Sequence, residues 1–184
     1  MFYWHRCLCR LDAHTMGVQS VAARQSVCAT GGWDNAICLW RWHDALAAVD
    51  GADGPSGAKQ VRLQTGSARA HSVPAATQCA AQLTGHRQAV AGLAYASDAH
   101  LLSASWDHTL RRWDTHTGQA VETVATGKAQ LCIAVPPADT GGDSHGVVAS
   151  GGADGVLRLW DTRAAGQEQL VRRLKCWQLL VHVC

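Results

Sequence analysis

Three residue types that cooperate in hydrolases occur in one stretch of this chain: His86, Ser103 and Asp107. In a hydrolase, the serine hydroxyl attacks the substrate, the histidine takes its proton, and the aspartate orients the histidine. Such a site also needs hydrogen-bond donors that stabilise the negatively charged oxygen of the reaction intermediate. No nucleophile-elbow or oxyanion-hole motif accompanies these residues. The set also recurs along the chain, which indicates a repeated role in the fold. We therefore predict that the chain is not an enzyme.

Three stretches of the chain align without gaps, and each has an aspartate six residues before a tryptophan. The segments between these aspartate and tryptophan positions consist of short alternating apolar runs that end at glycine or small polar turn residues, as at Thr117-Gly118. This pattern is typical of strands, and no helical period of useful length appears. The aligned pairs are Asp34 and Trp40, Asp107 and Trp113, and Asp154 and Trp160.

The middle stretch has the fullest form, with Gly85-His86 at its opening and Trp113-Asp114 at its close. The third stretch also ends in Trp160-Asp161, whereas the first departs to Trp40-Arg41. This pattern resembles WD repeats, whose four-stranded blades stack around a channel to form a β-propeller. The resemblance implies an all-β fold of about three blades, which we expect to be a fragment of a seven-bladed ring.

The repeats divide the chain into five parts. We predict WD repeats over residues 13–42, 81–123 and 124–163, and we leave residues 164–184 as an unassigned tail. Residues 43–80 are rich in Ala, Gly, Ser and Gln, so they offer little apolar surface to bury. This composition predicts a flexible insertion between blades, which is either a spacer or a disordered docking or modification segment.

The resemblance also implies a buried hydrogen-bonded tetrad in each blade. The family's histidine, serine or threonine, aspartate and tryptophan match in the first two repeats. The third repeat has Thr126-Gly127-Lys128 where Gly-His is expected, so we predict an incomplete set there. The positions are His14, Thr30, Asp34 and Trp40 in the first repeat; His86, Ser103, Asp107 and Trp113 in the second; and Ser150, Asp154 and Trp160 in the third.

Charge and cysteine content exclude several other classes of protein. Sixteen basic and fourteen acidic residues leave a net charge of +2, so any contact with RNA would be local. Cys7 and Cys9 have no second Cys or His pair at zinc-finger spacing, and we predict neither a metal site nor a cofactor. No apolar run reaches membrane-spanning length. Single cysteines within strand-like segments are expected to be reduced and to act as small apolar core residues, which indicates a reducing compartment; these are Cys28, Cys38, Cys79 and Cys132.

A more specific resemblance rests on the order of unusual features. Trp33-Asp34 precedes the long insertion, Ser105-Trp106-Asp107-His108-Thr109 lies in the middle repeat, and Gly127-Lys128 replaces Gly-His in the next one. This text resembles the family of WD-repeat subunits of the Pescadillo and Bop complex. The resemblance implies a non-catalytic interaction scaffold in large ribosomal subunit biogenesis and rRNA maturation. The implied partners are Pescadillo-type and Bop-type proteins and pre-ribosomal large-subunit particles, in the nucleus, nucleolus and nucleoplasm.

Trp33 and Trp106 each stand directly before a turn aspartate. In WD repeats that position usually faces the narrow end of the propeller, so we predict that these two residues bind a partner. Large aromatic side chains often dominate interface energetics. The alternative is that each indole packs on its own loop. A rival function with the same fold is a substrate receptor of a ubiquitin ligase or a signalling scaffold.

Overall fold

A computed structural model describes residues 11–41, 79–136 and 146–163, together with the backbone of residues 170–175. This part of the chain forms twelve strands and no helix. The strands are β1 (Val18–Arg24), β2 (Val27–Gly32), β3 (Ile37–Arg41), β4 (Ala81–Leu83), β5 (Val90–Tyr95), β6 (His100–Ser105), β7 (Thr109–Asp114), β8 (Ala120–Ala125), β9 (Gln130–Ala134), β10 (Val147–Gly152), β11 (Val156–Asp161) and β12 (Leu170–Lys175).

Each group of four consecutive strands forms one antiparallel sheet. The first sheet contains β1 to β4, the second β5 to β8 and the third β9 to β12, each in chain order. Short turns join the second strand of each sheet to the third, as in the turn at 106–108 between β6 and β7. The predicted all-β organisation with three blade-like units is therefore present in the structure.

The sheets are offset from the sequence repeats by one strand. β4 pairs with β3, with Leu83 opposite Ile37, so the first sheet is completed by residues that follow the predicted insertion. β8 likewise crosses the predicted boundary at residue 123 and closes the second sheet. The predicted insertion at 43–80 thus connects two neighbouring strands of one sheet. Its residues 43–78 lie outside the described part of the chain.

The unassigned tail supplies the last strand of the third sheet. β12 pairs with β11, and Leu174 lies opposite Leu157. This strand carries no Gly-His or Trp-Asp mark, which is why the repeat pattern alone did not place it. The other residues of 164–184 lie outside the described part.

The main core lies between the first and second sheets. Because side chains alternate across each strand, one face of the first sheet meets the opposing face of the second. The buried apolar side chains are Ala29, Ile37, Leu39 and Leu83 from the first sheet and Val90, Leu93, Leu101 and Trp113 from the second. A smaller core joins the second sheet to the third through Ala104, Leu110 and Trp160.

The first strands of the three sheets lie side by side, since β1 contacts β5 and β5 contacts β9. The Ser20 hydroxyl donates to the Val90 carbonyl oxygen at 3.0 Å and links β1 to β5. Gly92 permits the close approach of β5 to β9, because a Cβ there would lie 2.9 Å from the backbone nitrogen of Ile133. The sheets therefore converge at their first strands, as radial stacking requires.

The four predicted strand cysteines are free thiols, but they do not share one environment. Cys28 and Cys38 are buried and Cys79 is half-buried, whereas Cys132 is exposed and is not the core residue that we predicted. Burial raises the pKa of the Cys38 thiol to about 12. Within the described ranges, no three metal-ligating side chains cluster together. The same ranges hold no helix with the length and hydropathy to cross a membrane.

Candidate functional site

The second sheet brings its four predicted residues into one hydrogen-bonded chain. Asp107 Oδ2 lies 2.8 Å from His86 Nδ1, and His86 Nε2 lies 2.7 Å from Ser103 Oγ. The Trp113 indole nitrogen donates to the same Ser103 oxygen at 2.8 Å. Ser103 is fully buried and His86 is nearly so. The chain therefore runs from the turn after β6 into the core between the sheets.

The contacts determine where the protons lie. The ionised Asp107 can only accept a hydrogen bond, so the ring proton of neutral His86 lies on Nδ1 and donates to it. His86 Nε2 is then unprotonated and accepts the Ser103 hydroxyl proton, while Ser103 Oγ accepts the Trp113 N–H. A neutral histidine thus satisfies every member of the chain. Burial lowers the pKa of His86, although Asp107 opposes this effect, so the neutral form is favoured.

The Asp107 carboxylate also organises the turn around it. It accepts the backbone N–H groups of Arg87 and Thr109, each at 3.0 Å, and the Thr109 hydroxyl at 2.6 Å. Burial alone would raise the pKa of Asp107, but the hydrogen bonds from Thr109, Arg87 and His86 outweigh it and lower the pKa to about 2. The ionised carboxylate therefore fixes both the turn and the loop before β5.

The first sheet has the same arrangement with threonine in place of serine. His14 Nδ1 lies 2.9 Å from Asp34 Oδ1, and His14 Nε2 lies 2.8 Å from Thr30 Oγ1. The Trp40 indole donates to Thr30 Oγ1 at 2.8 Å. The structure thus brings the four predicted residues of this repeat together as well.

In the third sheet, Gln130 takes a position that sequence analysis did not assign. Its Oε1 accepts the Ser150 hydroxyl at 2.8 Å, and Ser150 Oγ accepts the Trp160 indole N–H at 2.8 Å. The Gln130 amide nitrogen donates to the Lys128 carbonyl oxygen at 2.8 Å. Gln130 is fully buried. Its amide oxygen therefore performs the accepting role that His86 Nε2 performs in the second sheet.

Asp154 does not join this chain, in contrast to the grouping that the repeat pattern predicted. Its carboxylate instead receives the Arg158 guanidinium, with NH1 at 3.0 Å from Oδ1 and NH2 at 2.5 Å from Oδ2. Arg158 is buried, and it lowers the pKa of Asp154 to about 2. Among the described residues no histidine binds Asp154, and the arginine four residues later takes this role. In the third sheet Gln130 therefore binds the serine and Arg158 binds the aspartate, whereas in the second sheet His86 makes both contacts.

Arg111 occupies the position in the second sheet that Arg158 occupies in the third, since each follows the turn aspartate by four residues. There His86 already binds Asp107. The Arg111 guanidinium lies 5.8 Å from the centre of the Trp113 ring, at cation–π distance. The same residue type therefore has different partners, according to whether the histidine is present.

The side chains of His86, Ser103 and Asp107, which resemble a hydrolase triad, are poorly accessible to a substrate. The Ser103 hydroxyl is fully buried and already has one donor and one acceptor as partners. A catalytic serine must reach a substrate carbonyl, with oxyanion donors beside it. The arrangement is instead that of buried polar groups satisfied in series, which supports the fold.

The two predicted partner-binding tryptophans contact each other across the first and second sheets. Their ring centroids lie 4.8 Å apart at an interplanar angle of 71°. Trp33 is 40% exposed, whereas Trp106 is half-buried and its indole nitrogen has no hydrogen-bond partner among the residues that the structure describes. The backbone N–H of Trp33 donates to Gly17 O and that of Trp106 to Ala89 O. The indoles therefore form one aromatic pair, and neither packs only on its own loop.

The role of Gln130 gives a test of the third network. In Gln130→Ala the Ser150 hydroxyl loses its acceptor inside the protein, so we expect the free energy of unfolding to fall by about 1–3 kcal/mol. Gln88, in the loop before β5, is a glutamine whose side chain is exposed. Gln88→Ala is therefore the matched control and should change stability by less than about 0.5 kcal/mol. Equal urea midpoints for the two variants would contradict the role assigned to Gln130.

Comparison with known proteins agrees with this geometry. The family model "WD domain, G-beta repeat" matches residues 5–41, 77–114 and 122–161. The WD40 β-propeller domain of Doa1 superimposes with a TM-score of 0.60 at 17% identity, and the match covers 89% of this chain and 41% of that one. This similarity supports the fold alone. The prediction of a WD-repeat propeller fragment is confirmed.

Relatives with more similar sequences carry a common name. A "Ribosome biogenesis protein WDR12 homolog" from Oryza sativa is 35% identical, and the match covers 85% of this chain and 34% of the relative. Its counterpart from Chlamydomonas reinhardtii is 38% identical, covering 88% of this chain and 36% of the relative. The chain thus spans about a third of the length of these curated relatives. With three matched segments and three four-stranded sheets, the chain belongs to the WD domain, G-beta repeat family.

Proposed function

We propose that this chain is part of a non-catalytic interaction scaffold in the biogenesis of the large ribosomal subunit, including maturation of its rRNA. The observation that carries this proposal is the similarity, over 85% and 88% of the chain, to two relatives named as ribosome biogenesis proteins. The structure supports a scaffold, because the polar groups that recur from sheet to sheet are buried and the aromatic pair is at the surface. The proposed locations are the nucleus, the nucleolus and the nucleoplasm.

The proposed partners are Pescadillo-type and Bop-type proteins within pre-ribosomal large-subunit particles. The order of sequence features that resembles their WD-repeat subunit supports this assignment. The two ordered networks of the first and second sheets hold the turns that carry Trp33 and Trp106. A rigid turn presents its side chain to a partner with little loss of conformational freedom, which favours binding.

The proposed function can be tested by affinity purification of the tagged protein from cells in which it is native. We expect Pescadillo-type and Bop-type proteins and large-subunit rRNA precursors to be recovered together. Depletion of the protein should cause unprocessed large-subunit precursors to accumulate. Recovery of cullin-linked ligase subunits without ribosomal precursors would overturn the proposal in favour of a substrate receptor.

The aromatic pair gives a second prediction. Replacing Trp33 and Trp106 together with alanine should weaken the association with pre-ribosomal particles by about 2 kcal/mol, which corresponds to about thirty-fold in affinity. Trp33→Ala alone should weaken it less and should leave the half-buried Trp106 in place. Val121→Ala is a control, because Val121 is 51% exposed but lies on β8, away from the pair. Unchanged recovery with the double variant would contradict the role of the pair.

A further inference from the structure

The two interfaces between neighbouring sheets are packed differently. The first interface joins the first and second sheets through Ile37, Leu83 and Trp113, and the second interface joins the second and third sheets through Leu110 and Trp160. We propose that the chain opens at the second interface: the third sheet separates from the second as a unit, while the first two sheets stay packed. This inference concerns a motion of the fold and does not depend on the proposed function.

Side chains at equivalent positions are less buried at the second interface than at the first. The positions correspond because the repeats align and their strands pair in the same register. Three leucines of the first interface are buried, whereas the residues that correspond to them at the second interface are half-buried. These pairs are Leu39 and Arg112, Leu83 and Val124, and Leu93 and Ile133. The second interface therefore excludes water less completely.

A cleft lies at the second interface, between β6–β8 of the second sheet and β9–β11 of the third. Its volume is about 390 Å³, part of which is open solvent. The apolar part of its wall consists of Leu102, Leu110, Val124, Ile133, Val148 and Trp160. Protein interiors are normally filled to the density of organic crystals, and wall atoms that face a gap lose contacts. The cleft therefore weakens the attraction between the second and third sheets.

Three differences between the repeats account for the cleft. Arg112 takes the place of Leu39, Val124 that of Leu83, and Val148 that of Leu101. Each change removes aliphatic carbon from the contact or replaces it with a cationic side chain. Leu102, in the place of Ala29, restores part of the lost volume, but the cleft remains. The sequence of the second and third repeats thus makes the second interface the weaker one.

Arg112 also brings a polar group that the closed interface does not satisfy. Its NH2 group lies 3.5 Å from Glu122 Oε2, on the adjacent strand of the same sheet. Its Nε atom is buried and has no hydrogen-bond partner within the described ranges. A buried donor without an acceptor costs free energy that hydration recovers. Opening the cleft hydrates this atom, so Arg112 favours the open form.

Polar contacts at the first interface act in the opposite direction. The end of β1 and the turn after it reach Asp98, in the turn between β5 and β6. Arg24 Nε lies 2.5 Å from Asp98 Oδ1, and the Gln25 amide nitrogen donates to Asp98 Oδ2 at 3.2 Å. The Ser20 hydroxyl also joins β1 to β5. These contacts hold the first two sheets together along their inner strands.

The inner strands of the second and third sheets provide a pivot. β5 and β9 approach each other at backbone distance beside Gly92, where a Cβ would lie 3.0 Å from Cys132 Cα. The third sheet can therefore swing about the β5–β9 contact and widen the cleft. The turn at 153–155 moves with it, whereas the turns that carry Trp33 and Trp106 keep their contact. The motion thus changes the distance between the third turn and the aromatic pair.

Thiol labelling tests the proposal, because a reagent larger than the cleft reaches the interface residues only after the sheets separate. Leu101→Cys reports on the first interface and Leu110→Cys on the second, and both positions are buried in the second sheet. We expect a dye maleimide larger than the cleft to modify position 110 about ten-fold faster than position 101. Peptide mass spectrometry separates these sites from the native thiols, and the exposed Cys132 is the reference. Equal rates, or a faster reaction at position 101, would overturn the proposal.

Thermal unfolding establishes that each variant is folded before it is labelled. A second pair of positions keeps the comparison available if either variant does not fold. Leu93→Cys then reports on the first interface and Val148→Cys on the second, because both side chains are buried there. The expected order of the rates is the same for this pair.

A variant that fills the cleft tests the cause of the opening. Val124→Leu restores the leucine that the first interface has at Leu83, and the added methylene should slow the modification of Leu110→Cys about four-fold. Val121→Leu is the matched control, because it makes the same change at an exposed position of the same strand. Equal rates with the two leucine variants would show that the cleft does not control the opening and would overturn the proposal.

Amide hydrogen exchange shows whether the third sheet moves as a unit. β10 and β11 are the central strands of the third sheet, as β2 and β3 are of the first. If the third sheet stays intact, its ladder hydrogen bonds persist, and the amides of these two pairs of strands should exchange at similar rates. Exchange about ten-fold faster in β10 and β11 would show that the third sheet unfolds instead, which would overturn the proposal.

Discussion

Replacing Trp113 with alanine should lower the free energy of unfolding of the chain by about 3–5 kcal/mol, as is usual for a large aromatic residue in a core. Trp113 is 1% exposed and packs between the first and second sheets. Its indole also donates to Ser103, so its loss removes both apolar contacts and a buried hydrogen bond. Urea unfolding followed by circular dichroism measures the change.

Two further variants separate these contributions. Trp113→Phe keeps most of the ring area but removes the N–H, so it should cost clearly less than the alanine variant. Trp33→Ala removes an exposed indole and should cost least, because no core cavity is opened. A Trp113→Ala variant that is as stable as Trp33→Ala would show that the core between the two sheets is not where this stability arises.

Replacing Asp107 with alanine should lower the free energy of unfolding at pH 7 by about 1–3 kcal/mol. The change leaves the Arg87 and Thr109 N–H groups and the His86 ring without their acceptor. Asp107→Asn keeps an oxygen at this place and should be less damaging. If thermal melts of the alanine variant and the unmodified chain coincided, the turn would not depend on this carboxylate.

The effect of Asp107 should depend on pH. Its pKa is about 2 in the folded chain, below its ordinary value of 3.8, and its side chain is only 5% exposed. The carboxylate therefore contributes stability that is complete above about pH 4 and is lost as the pH falls to about 2, with a magnitude of about 2 kcal/mol. The difference between Asp107→Ala and the unmodified chain should shrink over that range. A difference that is constant from pH 7 to pH 2 would contradict this linkage.

His86 adds to the acid sensitivity in the same direction. Because burial lowers its pKa from 6.5, unfolding allows the ring to take up a proton. Its contribution is present above about pH 6.5 and is lost as the pH falls through its lower folded pKa. The corresponding positions of the third sheet, Gln130 and Arg158, do not titrate in this range. Part of the acid response of the chain should therefore arise in the second sheet, which contains His86.

The sequence predicted those features whose residues are fixed by spacing. Asp107 and Trp113 recur at the same separation in each repeat, so the strands, the turns and the first two networks could be located before the structure was known. The Trp33–Trp106 contact could not, because it depends on how two adjacent sheets approach each other. That distance is set by the packing of the core and by Gly31, where a Cβ would lie 2.7 Å from Val90 Cγ1 of the second sheet, and no local pattern states it.

The third network was missed for a different reason. Gln130 lies two residues after Lys128, which holds the place of the histidine, so an alignment of the repeats did not identify it. The hydrogen-bonding requirement of Ser150 would have indicated that a residue was missing. Ser150 and Trp160 keep the spacing of a buried pair, and a buried serine hydroxyl requires an acceptor. Arg158, four residues after Asp154, was the second signal. β12 carried no comparable mark.

Because the sheets are offset by one strand from the sequence repeats, a sheet contains strands from two successive repeats and joins them. Since β3 and β4 pair directly, the ends of the connection at 42–80 are held together by the ladder between Ile37–Leu39 and Ala81–Leu83. Each doubling of a loop's length adds only about 0.6 kcal/mol to the entropy of closing it. Relatives can therefore lengthen or shorten this connection with little effect on the propeller. A protease cut within it would leave two polypeptides that stay joined through a shared sheet.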